Sequence, residues 1–388
     1  MKLNNRKSVL FIPSNENHVR MFSQISRYLK TNYDVVFISQ EPYKKEGVEK
    51  ILHELGINFK RLDDYDKKNP ESILKKENAS IVIIGNDTDV IPQWFVNCAK
   101  KMKIHTVLVQ DGVLLDIKTI KENLLKKFLF LIIRSNIKFL VMTLRLVLTN
   151  QYHRITYGLG GCTQIHVWGE TSKTYLINKK IDSNRIVIVG NIKMDERKDW
   201  HAEDKNEKIV LYAPTDLVSS NVVTPKTMHE LTADLCSAIT SLENMKLVIK
   251  PHPRENMEFY ENLITAFGNK IEISTSDIPS LLGMSKLVIS DLSTVTIESL
   301  VINKPVIIYM PNIENIVDQN FFPHDLISKN AVLFANNKQS LLEQVAKILN
   351  GKWLPSETTI NKIKEEYLGI LDHCAALRSS EFITKLLS

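Results

Sequence analysis

Short runs of β-branched and other apolar residues alternate along the chain with segments whose apolar residues recur at helical spacing. In the first half this pattern predicts six strands, Ser8–Pro13, Tyr33–Ile38, Ser80–Ile84, Thr106–Val109, Ile165–Trp168 and Arg185–Val189. The predicted helices between them are His18–Leu29, Val48–Leu55 and Val90–Lys101. Such alternation predicts a parallel sheet with helices on both faces.

The alternation restarts after a polar stretch, residues 195–208, which has no apolar periodicity and is interpreted as a linker. The strands predicted beyond it are Ile209–Tyr212, Lys246–Ile249, Lys270–Ile273, Leu287–Ser290 and Val306–Tyr309. The predicted helices are Lys226–Ile239, Arg254–Phe267, Thr294–Val301, Gln339–Leu349 and one or two helices within Glu357–Leu387.

The sequence therefore predicts an α/β protein with two doubly wound, Rossmann-like domains, residues 1–194 and 195–388, and a C-terminal helical tail. Ligands of such sheets bind at the carboxyl ends of the strands, which we expect to face a cleft between the domains. The 388 residues, 44% of them hydrophobic and 24% charged, fit two globular domains with sizeable cores.

The four cysteines are widely separated and form no CxxC pair, which argues against a disulfide framework or a zinc site and fits a reducing cytosol. The apolar run before Pro13 is too short for a secretory signal. No apolar stretch reaches the roughly 18 residues of a spanning helix. These features favour a cytoplasmic location.

The positive charge is concentrated in one segment, residues 118–150, which carries seven Lys and Arg residues and one Glu. This segment accounts for the whole formal net charge of +6, so a nucleic-acid footprint spread over the chain is not expected. Apolar residues recur between the basic ones. Two interpretations stay open: the segment docks on an anionic membrane surface, or it buries its apolar face in the first domain.

The second domain has a histidine at the end of a predicted strand. Leu247–Lys250 runs directly into Pro251, His252, Pro253 and Arg254. At a strand end His252 would reach a bound phosphate and stabilise it as it leaves, and Lys250 or Arg254 would hold a donor phosphate or carboxylate. A His-Pro pair alone also arises by chance.

A second loop of this kind follows the strand Leu287–Ser290. Ser293 and Thr294 precede a predicted helix, where hydroxyl groups and free backbone N–H groups bind anions, and Glu298 lies one turn further on, where it would bind ribose hydroxyls. The simpler interpretation is a helix cap followed by a solvated glutamate. Both loops lie at the ligand-binding edge of one predicted sheet, which favours the functional interpretation.

In the first domain, Gln110, Asp111 and Gly112 follow the strand Thr106–Val109 directly. Asp111 would take a proton from an acceptor hydroxyl, although an Asp-Gly turn explains the local pattern equally well.

Two further sets of residues complete the candidates. Ser14, Asn15 and His18 follow the first strand and are predicted to line the same site, and Thr215 follows the first strand of the second domain, where it would touch a phosphate. The Asp-x-Asp at residues 87–89 is interpreted as a chance match to a metal-binding motif, with Asp89 capping the helix that follows. The glycines at 158–161 are interpreted as a flexible turn.

Taken together, these motifs resemble those of bacterial sialyltransferases with the GT-B fold, which carry an acidic-acidic-Gly, a His-Pro and a Ser-Ser/Thr motif. The resemblance implies that Asp111 is the general base, that His252 contacts the departing phosphate, and that Ser293 and Thr294 bind that phosphate. Gln110 replaces the first acidic residue of the family motif.

The second domain is also similar to the CDP-glycerol glycerophosphotransferases of teichoic acid synthesis. Residues 212–215, 250–253 and 291–294, followed by 304–306, carry that similarity. Capsule Kdo transferases share part of the same pattern. All three families use cytidine nucleotides, so the resemblance implies a CMP- or CDP-linked donor as substrate and no cofactor.

The function predicted from these motifs is an inverting, metal-independent glycosyltransferase that moves a sugar, first of all a CMP-activated nonulosonate such as sialic acid, onto a surface glycan or lipid-linked acceptor. The enzyme would lie on the inner face of the plasma membrane. The alternatives are a CDP-glycerol or CDP-ribitol glycerophosphotransferase, a UDP-sugar 2-epimerase of the same fold, and a non-enzymatic scaffold.

Overall fold

The computed structural model describes residues 6–41, 43, 46–115, 137–153, 155–196, 209–218, 220, 222–252, 255, 257–311, 313, 316–317 and 322–388. Pro253, Arg254 and most of segment 118–150 lie outside these residues. The described residues form two compact units. The first contains those within 6–112, 137–196 and 367–388, and the second contains those within 113–115 and 209–366.

The first unit is built on a seven-stranded parallel sheet. Its strands are β1 (Ser8–Ile12), β2 (Asp34–Ser39), β3 (Phe59–Arg61), β4 (Ala79–Ile84), β5 (His105–Val109), β6 (Gln164–Val167) and β7 (Ile186–Ile188). Their order is β3-β2-β1-β4-β5-β6-β7. The chain adds strands on one side of β1 and then turns to the other side at β4, so the topological switch point lies between β1 and β4.

The helices of this unit up to residue 178 are α1 (Glu16–Leu29), α2 (Val48–Glu54), α3 (Pro70–Lys76), α4 (Val90–Lys101), α5 (Ile137–Leu148) and α6 (Glu170–Asn178). Helix α1 begins where the Asn15 side chain accepts a hydrogen bond from the backbone N–H of His18. Its buried face includes Phe22 and Ile25, which join Phe11 of β1 in the core of the unit.

The second unit repeats the architecture with six parallel strands, β8 (Ile209–Ala213), β9 (Lys246–Ile249), β10 (Ile271–Ile273), β11 (Leu287–Ser290), β12 (Val306–Tyr309) and β13 (Leu333–Ala335). Their order is β10-β9-β8-β11-β12-β13, so the switch point lies between β8 and β11. The helices are α7 (Pro225–Thr240), α8 (Met257–Phe267), α9 (Ile278–Met284), α10 (Val295–Val301), α11 (His324–Ser328), α12 (Lys338–Leu349) and α13 (Glu357–Leu368).

The predicted fold class is confirmed: two parallel-sheet, Rossmann-like units are followed by a helical tail. The tail differs from the prediction in one respect. It was assigned to the second domain, whereas residues 367–388, with helix α14 (Ala375–Leu387), belong to the first unit. Helix α14 packs against α1, and its Ala376 and Ile383 are buried in the core that contains Phe22.

Among the described residues, no helix combines the length and the apolar character needed to cross a membrane. Of the basic, apolar segment 118–150, the structure describes residues 137–150, which contain α5. Leu146 is the one buried residue of that helix.

Candidate active site

The carboxyl ends of β1 and β5 bring the His18 imidazole and the Asp111 carboxylate together next to the switch point of the first unit. His18 Nε2 lies 2.9 Å from the Oδ2 atom of Asp111. The imidazole is fully buried, whereas the Asp111 side chain is 28% exposed. The predicted strand-end position of Asp111 thus carries a reachable carboxylate backed by a buried imidazole.

The hydrogen bonds around His18 define its tautomer. The backbone N–H of Ser14 donates to Nδ1 at 3.0 Å, so neutral His18 carries its proton on Nε2 and donates it to Asp111. Asn15 uses its oxygen to cap α1 and its amide nitrogen to approach Asp111 Oδ2 at 3.4 Å. Ser14, Asn15 and His18 therefore orient the Asp111 carboxylate, as the prediction that they line one site requires.

The Asp111 carboxylate is held in its charged form. Burial by itself raises the pKa of this carboxyl, but the His18 imidazole, Lys193 and the Asn15 amide stabilise the anion and lower the pKa to about 2. Asp111 is thus ionised throughout the physiological pH range. Its stabilising contribution to the fold is present above its ordinary pKa and is lost only as the pH falls through about 2.

Gly85, the residue that follows β4, leaves the space in which the His18 ring lies. A Cβ atom at this position would stand 2.4 Å from His18 Nε2. Because both ring nitrogens are hydrogen-bonded and the ring is buried, the imidazole has little room to move. Sequence reasoning missed Gly85, since a glycine after a strand carries no sign of which side chain approaches it.

Gly85→Ala is expected to displace His18 and to lower the free energy of unfolding by about 1–3 kcal/mol. Because His18 orients Asp111, this displacement should also reduce activity. Thermal unfolding and turnover measure the two effects. In a His18→Ala background the same alanine should cost clearly less, because the ring it strikes is gone. An equal cost in both backgrounds would contradict the proposed close approach.

Gln110 has a structural role that explains its amide. Its Oε1 accepts from the backbone N–H of Trp168 at 2.9 Å, and its Nε2 donates to the carbonyl of Gly112 at 2.8 Å. The side chain is buried. A carboxylate at this position could not donate to Gly112, so the departure from the acidic-acidic-Gly motif has a physical reason. Gln110 shapes the Asp111 turn and is not exposed to a ligand.

The Asp-x-Asp motif at residues 87–89 and the glycines at 158–161 contact each other in the structure. Buried Asp87 accepts from the backbone N–H groups of Gly158 and Gly160 at 3.0 and 2.7 Å. Asp87 thus holds the glycine turn through two backbone hydrogen bonds, which the sequence did not predict.

In the second unit, a buried aspartate joins the ends of β8 and β11. Asp291 accepts from the backbone N–H of Thr215 at 3.0 Å and from its hydroxyl at 2.5 Å. Burial raises the pKa of Asp291 to about 6 despite these hydrogen bonds. The Thr215 hydroxyl donates its hydrogen to Asp291. It therefore has no hydrogen left to donate to a phosphate, which was its predicted role.

The loop after β9 holds His252 beside a half-buried glutamate. Glu255 accepts from the backbone N–H of His252 at 3.1 Å and from the Tyr260 hydroxyl at 2.6 Å. Lys250 donates to the carbonyl of Thr275 at 3.1 Å. The sequence analysis missed Glu255, because a single glutamate near a predicted helix start gives no sign of the loop N–H from which it accepts.

Burial raises the pKa of Glu255 to about 7, against the lowering effect of the hydrogen bonds from Tyr260 and His252. A carboxyl whose pKa rises on folding stabilises the protein below its unfolded pKa, and this stability is lost as the pH rises through about 7. We therefore expect the melting temperature of the wild type to fall relative to that of Glu255→Gln between about pH 4.5 and 7.5. Parallel curves over this range would contradict the raised pKa of Glu255.

The loop after β11 brings its hydroxyl groups to the start of α10, as predicted. The Ser293 hydroxyl accepts from the backbone N–H of Val295 at 3.2 Å, whereas the Thr294 side chain makes no capping hydrogen bond. Glu298 lies inside α10 and is only 6% exposed, so it is not the solvated residue of the simpler interpretation. His252 and the pair Ser293–Thr294 follow β9 and β11, which flank β8 in the sheet.

The family of CDP-glycerol:poly(glycerophosphate) glycerophosphotransferases matches residues 181–377, just over half of the 388 residues. The chain belongs to this family. It is accordingly an enzyme, a nucleotide-dependent transferase with the GT-B fold. The matched range includes every strand of the second unit and the loops that carry His252, Ser293 and Thr294.

Solved structures share the fold over nearly the whole chain. The S. aureus MnaA–UDP structure has a TM-score of 0.64 at 14% identity and covers 98% of this chain and 97% of its own. UDP-GlcNAc 2-epimerase from Neisseria meningitidis, bound to UDP-GlcNAc, has a TM-score of 0.61 at 13% identity, with 98% and 100% covered. The wall teichoic acid polymerase TagF, as its H444N variant with CDPG, has a TM-score of 0.59 at 13% identity, with 100% and 90% covered.

No curated protein sequence matches the chain. The comparisons bear out the resemblance of the second domain to glycerophosphotransferases. They do not show the resemblance to sialyltransferases and Kdo transferases. The identities to the solved structures are low enough that these structures establish the fold and leave the donor to be argued from the family.

Proposed function

We propose that the enzyme transfers glycerol phosphate or ribitol phosphate from a CDP-activated donor to a hydroxyl of a cell-surface polymer. The observation that carries this proposal is the family match over residues 181–377. The family is named for CDP-glycerol as donor and poly(glycerophosphate) as acceptor. Transfer of a CMP-activated nonulosonate, the first donor predicted from the motifs, has no comparable support.

The reaction forms one phosphorus–oxygen bond and breaks another. The acceptor oxygen attacks the phosphorus that carries the alditol, and the bond from this phosphorus to the oxygen bridging to CMP breaks. CMP leaves with the electron pair, and the acceptor proton passes to a base. The protein must therefore orient a hydroxyl, receive its proton and neutralise the leaving phosphate.

In the first unit, Asp111 receives the acceptor proton, and His18 acts as a positioning residue behind it. A carboxylate with a pKa of about 2 is a weak base. Catalysis of transfer at phosphorus rests mainly on positioning and electrostatic stabilisation, so orientation of the hydroxyl matters more than base strength. The exposure of Asp111 and the burial of His18 support this division of roles.

In the second unit, His252 donates a hydrogen bond or a proton to the departing phosphate. Ser293 and Thr294 contribute hydroxyl groups to the same phosphate, and Glu298 binds the ribose. Lys250 and Arg254 supply positive charge to the donor, and Pro253 belongs to the same donor-binding motif. The strand-end positions of His252, Ser293 and Thr294 on either side of β8 support this assignment.

The test is acceptor-dependent release of CMP from CDP-glycerol, with phosphorus NMR of the product. The proposal predicts a new phosphodiester resonance in step with CMP release. CMP release with free glycerol phosphate as the only product, in the presence of a poly(glycerophosphate) acceptor, would contradict transfer.

We further propose that segment 118–150 holds the enzyme on the anionic inner face of the plasma membrane, where a lipid-linked acceptor would be found. Four apolar residues of α5 support this, because Ile137, Val141, Leu144 and Leu148 are exposed at 75%, 63%, 50% and 83%. Their spacing places them along one side of the helix. This set is called the α5 stripe below.

Co-sedimentation with vesicles is expected to increase with anionic lipid and to decrease with salt. Changing Lys126, Lys127, Arg134 and Lys138 to Gln should reduce it, since each basic residue near anionic lipid contributes about 1 kcal/mol. Equal recovery on neutral and anionic vesicles, unaffected by these changes, would exclude docking by this segment.

A further inference from the structure

A cavity of about 450 Å³ lies where α5 packs against the first unit. Its wall combines two kinds of side chain. The cations are Lys68, Lys138 and Arg145, and the main apolar residues are Trp94, Val141 and Met142. The cavity lies apart from Asp111 and His18, neither of which lines it.

Among the described residues, the charged side chains that line this cavity are all positive. Asp63 pairs with Lys68 at 3.3 Å and with Lys138 at 3.4 Å, so one carboxylate is shared between two ammonium groups. Within the described part of the chain, no carboxylate pairs with Arg145. The site therefore attracts an anion, and the Arg145 guanidinium offers the geometry that suits a phosphate.

The apolar part of the cavity continues onto the surface. Ile137 and Val141 belong both to the cavity wall and to the α5 stripe. An occupant with an anionic head at Arg145 would thus find an apolar path leading away from it along the helix. A soluble phosphate would use only the charged half of this surface, whereas a lipid phosphate would use both halves.

We propose that this cavity binds the phosphate headgroup of an anionic membrane lipid, with Arg145 and Lys68 on the phosphate and the acyl chain against Trp94, Val141 and Met142. This inference deepens the proposed function, because it rests on the membrane docking of segment 118–150 and names a lipid phosphate as a specific ligand.

The first experiment measures affinity for phosphatidylcholine vesicles that contain phosphatidic acid. Lys68→Gln combined with Arg145→Gln should weaken binding about tenfold or more. The charge-matched control is Lys226→Gln with Lys362→Gln, whose side chains are 86% and 68% exposed in the second unit. The control should bind within about twofold of the wild type. Wild-type affinity in the cavity variant, or an equal loss in the control, would overturn the proposal.

The second experiment needs no change at the cations and so does not depend on how well that variant folds. Phosphatidic acid brominated in its acyl chains should quench Trp94 fluorescence, and Trp94→Phe should lose this component. Trp168 is buried and serves as the internal reference. Equal quenching in both proteins would overturn the proposal, as would complete displacement of the vesicles by inorganic phosphate at the same phosphate concentration.

The outcomes separate this inference from the proposed reaction. Calorimetric titration of the wild-type protein with CDP-glycerol, without vesicles, reports on the donor site alone. If CDP-glycerol binds but the cavity variant and the Trp94 quenching show no change, the lipid site is excluded and the transferase proposal stands. If the cavity variant and the Trp94 quenching change as expected but CDP-glycerol does not bind, the lipid site stands and the proposed donor is excluded.

Discussion

Asp111→Asn is expected to lower the transfer rate about a thousandfold while CMP binding is retained. Asparagine keeps the size of the side chain and much of its hydrogen bonding, but it cannot receive the acceptor proton. Single-turnover transfer with CDP-glycerol and calorimetry with CMP measure the two properties. Since the contact with His18, together with Lys193 and the Asn15 amide, outweighs burial and lowers the pKa of Asp111 to about 2, the wild-type rate should show no loss from this group between pH 5 and 8.

The control for this variant is Asp66→Asn, an exposed carboxylate of the same unit, which should transfer normally. Normal transfer by Asp111→Asn would place the base elsewhere, with His18 the next residue to test. His18→Ala is expected to lower the rate less than Asp111→Asn, because it removes the group that orients the carboxylate and leaves the carboxylate itself.

His252→Ala is expected to lower turnover about a hundredfold or more without loss of fold. The imidazole follows β9 next to the switch point, and its backbone is held by Glu255, so alanine removes the side chain and keeps the loop. Turnover with CDP-glycerol measures the first effect, and thermal unfolding measures the second.

His53→Ala, at an exposed histidine of the first unit, is the matched control and should keep its turnover. Wild-type turnover in His252→Ala would remove this residue from the mechanism. A large drop in melting temperature would instead assign the loss of activity to the loop structure.

The alternation of apolar runs predicted the central strands well, because buried parallel strands are continuously apolar. It missed β3 and β13, which are three residues long and lie at sheet edges. In β3, Lys60 and Arg61 are exposed, so no apolar run marks the strand. The helices α3, α6, α9 and α11 were also missed, since each has five to nine residues and is shorter than the window over which a helical period is recognised with confidence in a sequence.

The predicted strands placed Asp111, His252 and Ser293–Thr294 correctly after the carboxyl ends of β5, β9 and β11. They could not pair His18 with Asp111, because these residues are 93 positions apart and meet only through the order of β1, β4 and β5. Asp291 was seen only as part of a motif. Its hydrogen bonds to Thr215 depend on β8 and β11 being neighbours, which local sequence does not reveal.

The donor was the least predictable feature. His252 and Ser293–Thr294 belong both to the motifs that resemble sialyltransferases and to those that resemble glycerophosphotransferases, so these residues could not distinguish the two donors. The family match over the second unit favours the CDP-alditol alternative over the CMP-sugar that was preferred from the motifs.

The most direct test of the central claim offers the enzyme CDP-glycerol, CMP-sialic acid and UDP-GlcNAc side by side with a poly(glycerophosphate) acceptor. We expect the enzyme to consume CDP-glycerol, release CMP and extend the acceptor by phosphodiester-linked glycerol. Consumption of CMP-sialic acid or epimerisation of UDP-GlcNAc, with CDP-glycerol left intact, would contradict this expectation.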